Sequence, residues 1–392
     1  MIPEPQKTYV LELLAALGSA ADDFVVAGAQ AMKFSVEKAR GTKDVDFILN
    51  VIALRKDPLD LAKVLENLGY KPVPESRNFQ FEKPIPDSTE TMRIEFMAPD
   101  EFKRRHDFRV DIQEGVHARA CTGGSIALEQ SDPHTISGKL PNGTPFSGQI
   151  RVTRPHALVM LKLLALRDRY NNLRGAKETR HDREEAQTHA SDIVAILRAV
   201  PDMPKFNAEF IGQFHAYPAL GLHVLWILLE FFLNTTSPGL LVYSEHVAAN
   251  LPEERDAPTI VRTETELAQR IVAQILPPPE FFAIAAAIDD STNHSKGAPY
   301  VDQYLSALET ARIPVADILA LQSLPAGAFS GAYSPGAKFV SNASEPLAKL
   351  SPPQRDLLHA CLQSMLKRLG ENDALRKKYP HTLKMESSPA TG

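Results

Sequence analysis

Cysteine is nearly absent from this chain. Of 392 residues only Cys121 and Cys361 carry a thiol. Two cysteines make neither a zinc site nor a disulfide framework, so nothing points to an oxidising compartment. Long apolar runs are missing as well. The most apolar stretch, Leu220 to Leu233, contains His223 and Glu230 and is too short to span a bilayer, so it reads as a buried core helix. A secretory signal is not expected, because Glu4, Lys7, Glu12, Asp22 and Asp23 interrupt the first residues. The cytoplasm is the expected location, with no membrane partner. Positive charge is not in excess. With 43 Lys and Arg against 48 Asp and Glu, the net charge is −5. That argues against dedicated DNA binding but permits local contact with nucleotides or RNA. There is no internal repeat, and no aromatic-rich basic segment of the kind that marks RNA-binding modules. The length is enough for a large core and two domains.

Against this background one short run stands out: Arg40-Gly41-Thr42-Lys43-Asp44-Val45-Asp46-Phe47-Ile48-Leu49. Val45 to Leu49 reads as a buried strand. Alternate side chains on a strand share a face, which places Asp44 and Asp46 together. Asp is depleted in strands and two buried like charges are costly, so the pair calls for a partner. A hard divalent cation such as Mg²⁺ is one, because it takes oxygen ligands and completes its shell with substrate phosphates. The alternative is structural, with Asp44 capping the strand start and Asp46 paired with a Lys or Arg.

The flanking segments supply an order of elements. Phe24 to Ala27 reads as a short strand, Gly28 as a tight turn, and the following residues as a helix start. A small residue there lets backbone approach an anion closely. Asp60 to Leu68 has helical spacing and stops at Gly69. Phe79 to Phe81 and Met92 to Met97 read as strands. Glu95 lies in the second and is the first candidate for a third carboxylate. Asp111 is the competitor, and for either the alternative is an edge-strand charge facing water.

Gly28-Ala29-Gln30-Ala31, followed by Arg40, Thr42, Lys43, Asp44 and Asp46, resembles the nucleotidyltransferase fold superfamily, and within it the bacterial AbiEii-type toxins and related nucleotidyltransferases. The resemblance covers about residues 9 to 200. It implies an α/β (α+β) fold, a mixed-sheet core flanked by helices and followed by a mainly helical C-terminal region. It also implies one or two Mg²⁺ ions held by Asp44, Asp46 and Glu95, and a nucleoside triphosphate received at Gly28 and Ala29, with Thr42 and Lys43 close by. Many members carry Gly-Ser or Gly-Gly at the turn. Ala29 lacks that hydroxyl, although backbone donors remain.

Residues Arg151 to Arg183 carry nine Lys or Arg against three acids, a basic block in an acidic chain and hence an anion-facing surface. Pro155 suits the first turn of a helix, and Lys162, Ala165 and Arg169 share one helical face. A salt-bridged, solvated helical hairpin is the alternative. The resemblance adds Lys162, Arg169, Lys177 and Asp192 as site residues, Lys162 among the catalytic ones. His181 and His189 are not read as a metal pair.

The sequence divides into a core at 1–150, a helical domain at 151–320, a linker at 321–350 and a C-terminal helix with a disordered tail at 351–392. Pro141-Asn142-Gly143-Thr144 is a hairpin turn. Residues 234–255 are mixed, and a helix runs from Glu264 to Leu276. The expected function is transfer of a nucleoside monophosphate to an RNA or protein hydroxyl, with an antitoxin as a further partner implied by the resemblance. The alternatives are a catalytically weak nucleotide-binding regulatory module and a helical interaction protein.

Overall fold

The computed structural model describes residues 2–275, except 43, 87, 104–107, 173–178, 233 and 252–255. The expected linker at 321–350 and the expected C-terminal helix lie outside the described residues. The chain divides into two compact units. Among the described residues one lies within Met1–Phe206 and Asn234–Val272, and the other within Asn207–Leu233 and Ala273–Ile275.

In chain order the elements are α1 (Gln6–Leu17), β1 (Phe24–Val26), α2 (Gly28–Met32), β2 (Asp44–Leu49), α3 (Val51–Leu54), α4 (Leu61–Asn67), β3 (Lys71–Pro72), β4 (Gln80–Pro84) and β5 (Thr91–Pro99). There follow β6 (Arg109–Gln113), β7 (Val116–Cys121), α5 (Gly124–Glu129), β8 (Ser131–Lys139), β9 (Pro145–Thr153), α6 (Pro155–Asn172) and α7 (Thr179–Ala199). The last are α8 (Met203–Ala216), α9 (Pro218–Phe232), α10 (Pro238–Asn250) and α11 (Ala257–Val272). The expected α/β class is therefore the observed one.

The strands form one mixed sheet in the order β3-β4-β5-β2-β1-β9-β8, with β7 pairing both β5 and β6. β2 runs antiparallel to β1 and parallel to β5, and β1 runs parallel to β9. The register of β2 on β5 places Asp44 opposite Arg93 and Asp46 opposite Glu95. The odd-numbered residues of β2 point the other way. There Phe47 joins Phe24, Phe96 and Phe81 in edge and tilted ring contacts, centroids 5.6–6.4 Å apart. Each such ring stabilises by about 1.5–3 kcal/mol on burial, which fixes the face on which the aspartates must emerge.

Local signals explain several boundaries. The Asp60 side chain accepts a hydrogen bond from the backbone N–H of Lys63, capping α4, and Gly69 beyond it has φ +82°. The hairpin of β8 and β9 closes through Gly143, φ +83°, whose N–H reaches Leu140 O at 2.8 Å. Other expectations shift. The boundary set at residue 150 falls inside β9, and the sheet and helices α6, α7, α10 and α11 belong to one compact unit, because α6 packs on α2, α5 and α7. Residues 234–255 include the regular helix α10. α11 starts at Ala257, ahead of Glu264, and ends at Val272. In the other unit α9 carries the apolar run, with Val224, Ile227, Leu228, Phe231 and Phe232 buried.

Candidate functional site

A cavity of about 700 Å³ opens between the Asp44–Asp46 face of the sheet and helices α6 and α7. Its floor comes from three strands. β2 gives Asp44 and Asp46, β5 gives Arg93, Glu95 and Met97, and β7 gives Arg119 and Cys121. Lys162, Asp168 and Arg169 line it from α6, and His181, Glu185 and His189 from α7. The apolar end is lined by Ala27, Met97, Cys121 and Leu161, which pack against the buried Ile48 and Ala127.

Gly28 is required here for two reasons. Its φ is +60°, a left-handed value that L side chains disfavour. A Cβ placed on it would also overlap the Asp46 carboxylate. The Asp46 carboxylate therefore rests against bare backbone at the start of α2, and Ala27 N–H donates to Asp46 O at 2.9 Å, locking β1 to β2 at that point. Gly28 lines the cavity, whereas Ala29 is buried in the core at 3% exposure.

Among the described residues neither the Asp44 nor the Asp46 carboxylate takes part in an ion pair or a hydrogen bond. Burial, reinforced by Glu95 and partly offset by Lys162 and Arg119, pushes the Asp46 carboxyl up to about 6. Burial raises Asp44 as well, against the nearby Arg93. Glu95 is placed differently. It sits opposite Asp46, but its Oε1 faces Arg119 Nη2 at 2.7 Å and its Oε2 accepts from Gln80 Nε2 at 2.6 Å. The Arg119 contact is a charge pairing rather than an aligned hydrogen bond, so among the described residues Oε1 has no hydrogen-bond donor. Burial opposes the Arg119 charge, and Glu95, Cys121 and Asp46 more than offset it. Asp111, the competing third acid, lies instead 3.4 Å from His117 Nδ1 and does not line the cavity. Among the described residues no three His, Cys, Asp or Glu side chains are gathered into a metal cage.

The basic block resolves into two classes. Arg154, Arg180 and Arg183 pair with Asp132, Glu184 and Glu245 away from the cavity. Lys162 and Arg169 line it. Lys162 Nζ meets Asp192 Oδ2 at 2.7 Å, and Arg40 Nε meets the other oxygen of the same carboxylate at 3.0 Å. These two cations override burial and hold the Asp192 carboxyl below its ordinary range. Asp192 thus sits behind the cavity wall as the counter-ion of Lys162, not in the wall. Arg169 Nη1 reaches Asp182 Oδ1 at 3.1 Å. Thr42 Oγ1 bonds the backbone of Asp44 and steadies the entry to β2 without lining the cavity. Lys43 and Lys177 lie outside the described residues.

Arg93, Arg119 and Glu185 line the cavity without having been singled out from sequence, and His189 lines it although it was set aside as a metal ligand. A spacing of four puts His181, Glu185 and His189 on one face of α7. That periodicity was available, but not the identity of what the face meets. The His189 imidazole is held well below its ordinary range, first by burial and then by Lys162. Among the described residues its Nδ1 has no hydrogen-bond partner, and its Nε2 is 3.8 Å from Glu185. Burial also pushes the Cys121 thiol up to about 12, so it is an inert wall residue.

No protein-family profile, no curated protein and no solved structure matches the chain.

Proposed function

We propose that this chain is a Mg²⁺-dependent nucleotidyltransferase that moves a nucleoside monophosphate from a nucleoside triphosphate to an acceptor hydroxyl. The observation that carries the reading is the pairing of two unengaged carboxylates, Asp44 and Asp46, with a cationic opposite wall built from Lys162 and Arg169. The donor set fits magnesium. This ion is ordinarily bound by one or two carboxylates, with waters and substrate phosphates completing its shell. Asp44 and Asp46 would hold it. Glu95, engaged by Arg119 and Gln80, would join only if that pairing opened. Bound there, the ion would neutralise phosphate charge and orient the reacting oxygens.

The chain's own residues do the rest. Lys162, held by Asp192, offers its remaining N–H groups to phosphate oxygens without reorganising. Arg169 adds a second cation about two turns along the same face of α6. The apolar end at Ala27, Met97 and Leu161 offers a dry surface to a base or sugar. The reaction forms one bond from the acceptor oxygen to the α-phosphorus and breaks the α–β bridge, releasing pyrophosphate. A role as the toxin of an AbiEii-like pair is the biological setting the resemblance implies.

Incubation with each labelled nucleoside triphosphate, Mg²⁺ and total cellular RNA or protein tests the reading. Label should enter one fraction and be lost with Asp44→Asn and with Asp46→Asn. Transfer that survives either substitution rejects the assignment. One observation favours a second reading. The engagement of Glu95 by Arg119 suits a nucleotide-binding module that does not transfer, which would show calorimetric binding of nucleotide without pyrophosphate release.

A further inference from the structure

The rim of the cavity carries a feature the transfer chemistry does not use. Arg77 and Asn78 are consecutive non-glycine residues in the left-handed region, with φ +50° and +65°. Such conformations are strained and persist where surrounding structure imposes them. Here three ties impose them. Ser76, itself buried, donates its hydroxyl to Val73 O at 2.7 Å and accepts from Gln80 N–H at 3.2 Å, and His117 N–H donates to Asn78 O at 2.9 Å.

The turn aims side chains at the rim. Phe79 lines the cavity. Its ring meets Phe108 edge to face, centroids 6.0 Å apart at 89°. The Arg77 guanidinium lies over the Phe108 ring, 5.3 Å from its centroid. Phe108 is 45% exposed and is the aromatic ring among the exposed large apolar side chains of the described residues, the others being Ile52, Leu241 and Leu267. Ala120 N–H donates to Phe108 O at 2.7 Å, and the neighbours of Ala120, Arg119 and Cys121, both line the cavity. Phe79, Phe108 and Arg77 thus form a fixed ladder from the cavity wall out to solvent.

From this geometry we infer that Arg77, Phe79 and Phe108 form a platform for the unpaired end of a single-stranded RNA, whose terminal hydroxyl is the acceptor. The inference rests on the transfer reading above for the acceptor role, and on the platform alone for binding. The chemistry of the surface selects the occupant. A flat ring capped by a planar guanidinium accepts the face of any nucleobase, by stacking on aromatic and Arg planes alike. The Arg77 guanidinium is the cation that a backbone phosphate meets at the rim, beside a floor in which Arg93, Arg119 and Lys162 are balanced by Asp44, Asp46 and Glu95.

The test uses the full chain and a fluorescein-labelled, mixed-sequence single-stranded oligoribonucleotide of about a dozen residues, followed by anisotropy without nucleotide or Mg²⁺. Phe108→Ala should weaken binding by roughly 5- to 100-fold, and Phe108→Tyr should restore it to within about twofold. Arg77→Ala, a second exposed site, should weaken binding and flatten its dependence on salt. Calorimetric binding of nucleoside triphosphate should be unchanged in Phe108→Ala, which also serves as the folding control. Wild-type affinity in Phe108→Ala, or equal loss in Ala and Tyr variants, overturns the platform. So does a Phe108 dependence confined to labelling of protein acceptors, which would make this rim a protein-docking surface. Phe108-dependent binding of the oligoribonucleotide in a chain that binds no nucleotide would uphold the platform and reject the transfer reading instead.

Discussion

The Lys162 ammonium and the Asp192 carboxylate meet at 2.7 Å with their side chains only 7% and 3% exposed. Breaking a buried pair strands the remaining charge and costs about 3–5 kcal/mol. Asp192→Ala should therefore lose stability on that scale, eased to the extent that the Arg40 guanidinium, 39% exposed, turns to water. The double variant Lys162→Met/Asp192→Leu should regain much of that stability, since well-packed apolar residues often replace buried ion pairs at little cost. It should not regain nucleotide binding. Urea unfolding beside nucleotide calorimetry separates the two effects. Recovery of both in the double variant would mean that the pair is purely structural.

Two glycines with similar backbones should respond differently to the same change. Gly28 and Gly143 have φ of +60° and +83°, but an added Cβ meets the Asp46 carboxylate at Gly28 and nothing within 4 Å at Gly143. Gly143→Ala should cost about 1–2 kcal/mol from backbone conformation alone. Gly28→Ala should cost more and displace Asp46, so that transfer falls by at least two orders of magnitude. Equal losses of stability in the two variants, read from thermal melts, would remove the argument that Gly28 makes room for the carboxylate.

The elements nearest the site were the most legible in sequence. The Asp-x-Asp strand, the Gly28 turn, the helix that stops at Gly69 and the Asn142-Gly143 hairpin each follow from local rules of period and φ, which need no knowledge of distant residues. The lateral partners were not legible. That Glu95 rather than Asp111 stands beside Asp46 depends on the register of β5 on β2. That Arg119 then claims Glu95 depends on β7 joining the end of β5. Asp192 was placed in the site by resemblance, and only the packing of α6 against α7 shows that it holds Lys162 from behind. The basic block misled in part for the same reason. Cations counted along a sequence carry no sign of which acids fold against them.

His189 should leave a signature in acid. Burial and Lys162 hold its imidazole well below the ordinary value near 6.5. The unfolded chain then takes up a proton that the native state refuses. The stability this residue supports is present above about pH 6.5 and is lost as pH falls below it. His189→Gln should remove that part of the decline between pH 7 and pH 5, measured as the difference in melting temperature across the range. An unchanged slope in the variant would show that the imidazole is reached by solvent and titrates normally.

Asp46 should act with the opposite sign. Its carboxyl is raised to about 6, chiefly by burial, so the native state keeps a proton that the unfolded chain has released. The stability from that site is complete below the ordinary carboxyl value of about 3.8 and is lost as pH rises through 6. At neutral pH the folded chain therefore holds an unfavourable charge. Asp46→Asn cannot ionise, and should be more stable than the parent at pH 7.5 by on the order of 1–3 kcal/mol, with the gap closing towards pH 4.5. The same substitution should abolish transfer, because the unfavourable charge is the one offered to the metal. Magnesium supplies the control. A cation that binds the native state stabilises by RT ln(1 + [L]/Kd), so added Mg²⁺ should raise the urea midpoint of the parent at pH 7.5 and leave Asp46→Asn unmoved. A variant less stable than the parent at neutral pH, or one that responds equally to Mg²⁺, would mean that the Asp46 carboxylate is already neutralised within the fold and is not free to hold a metal.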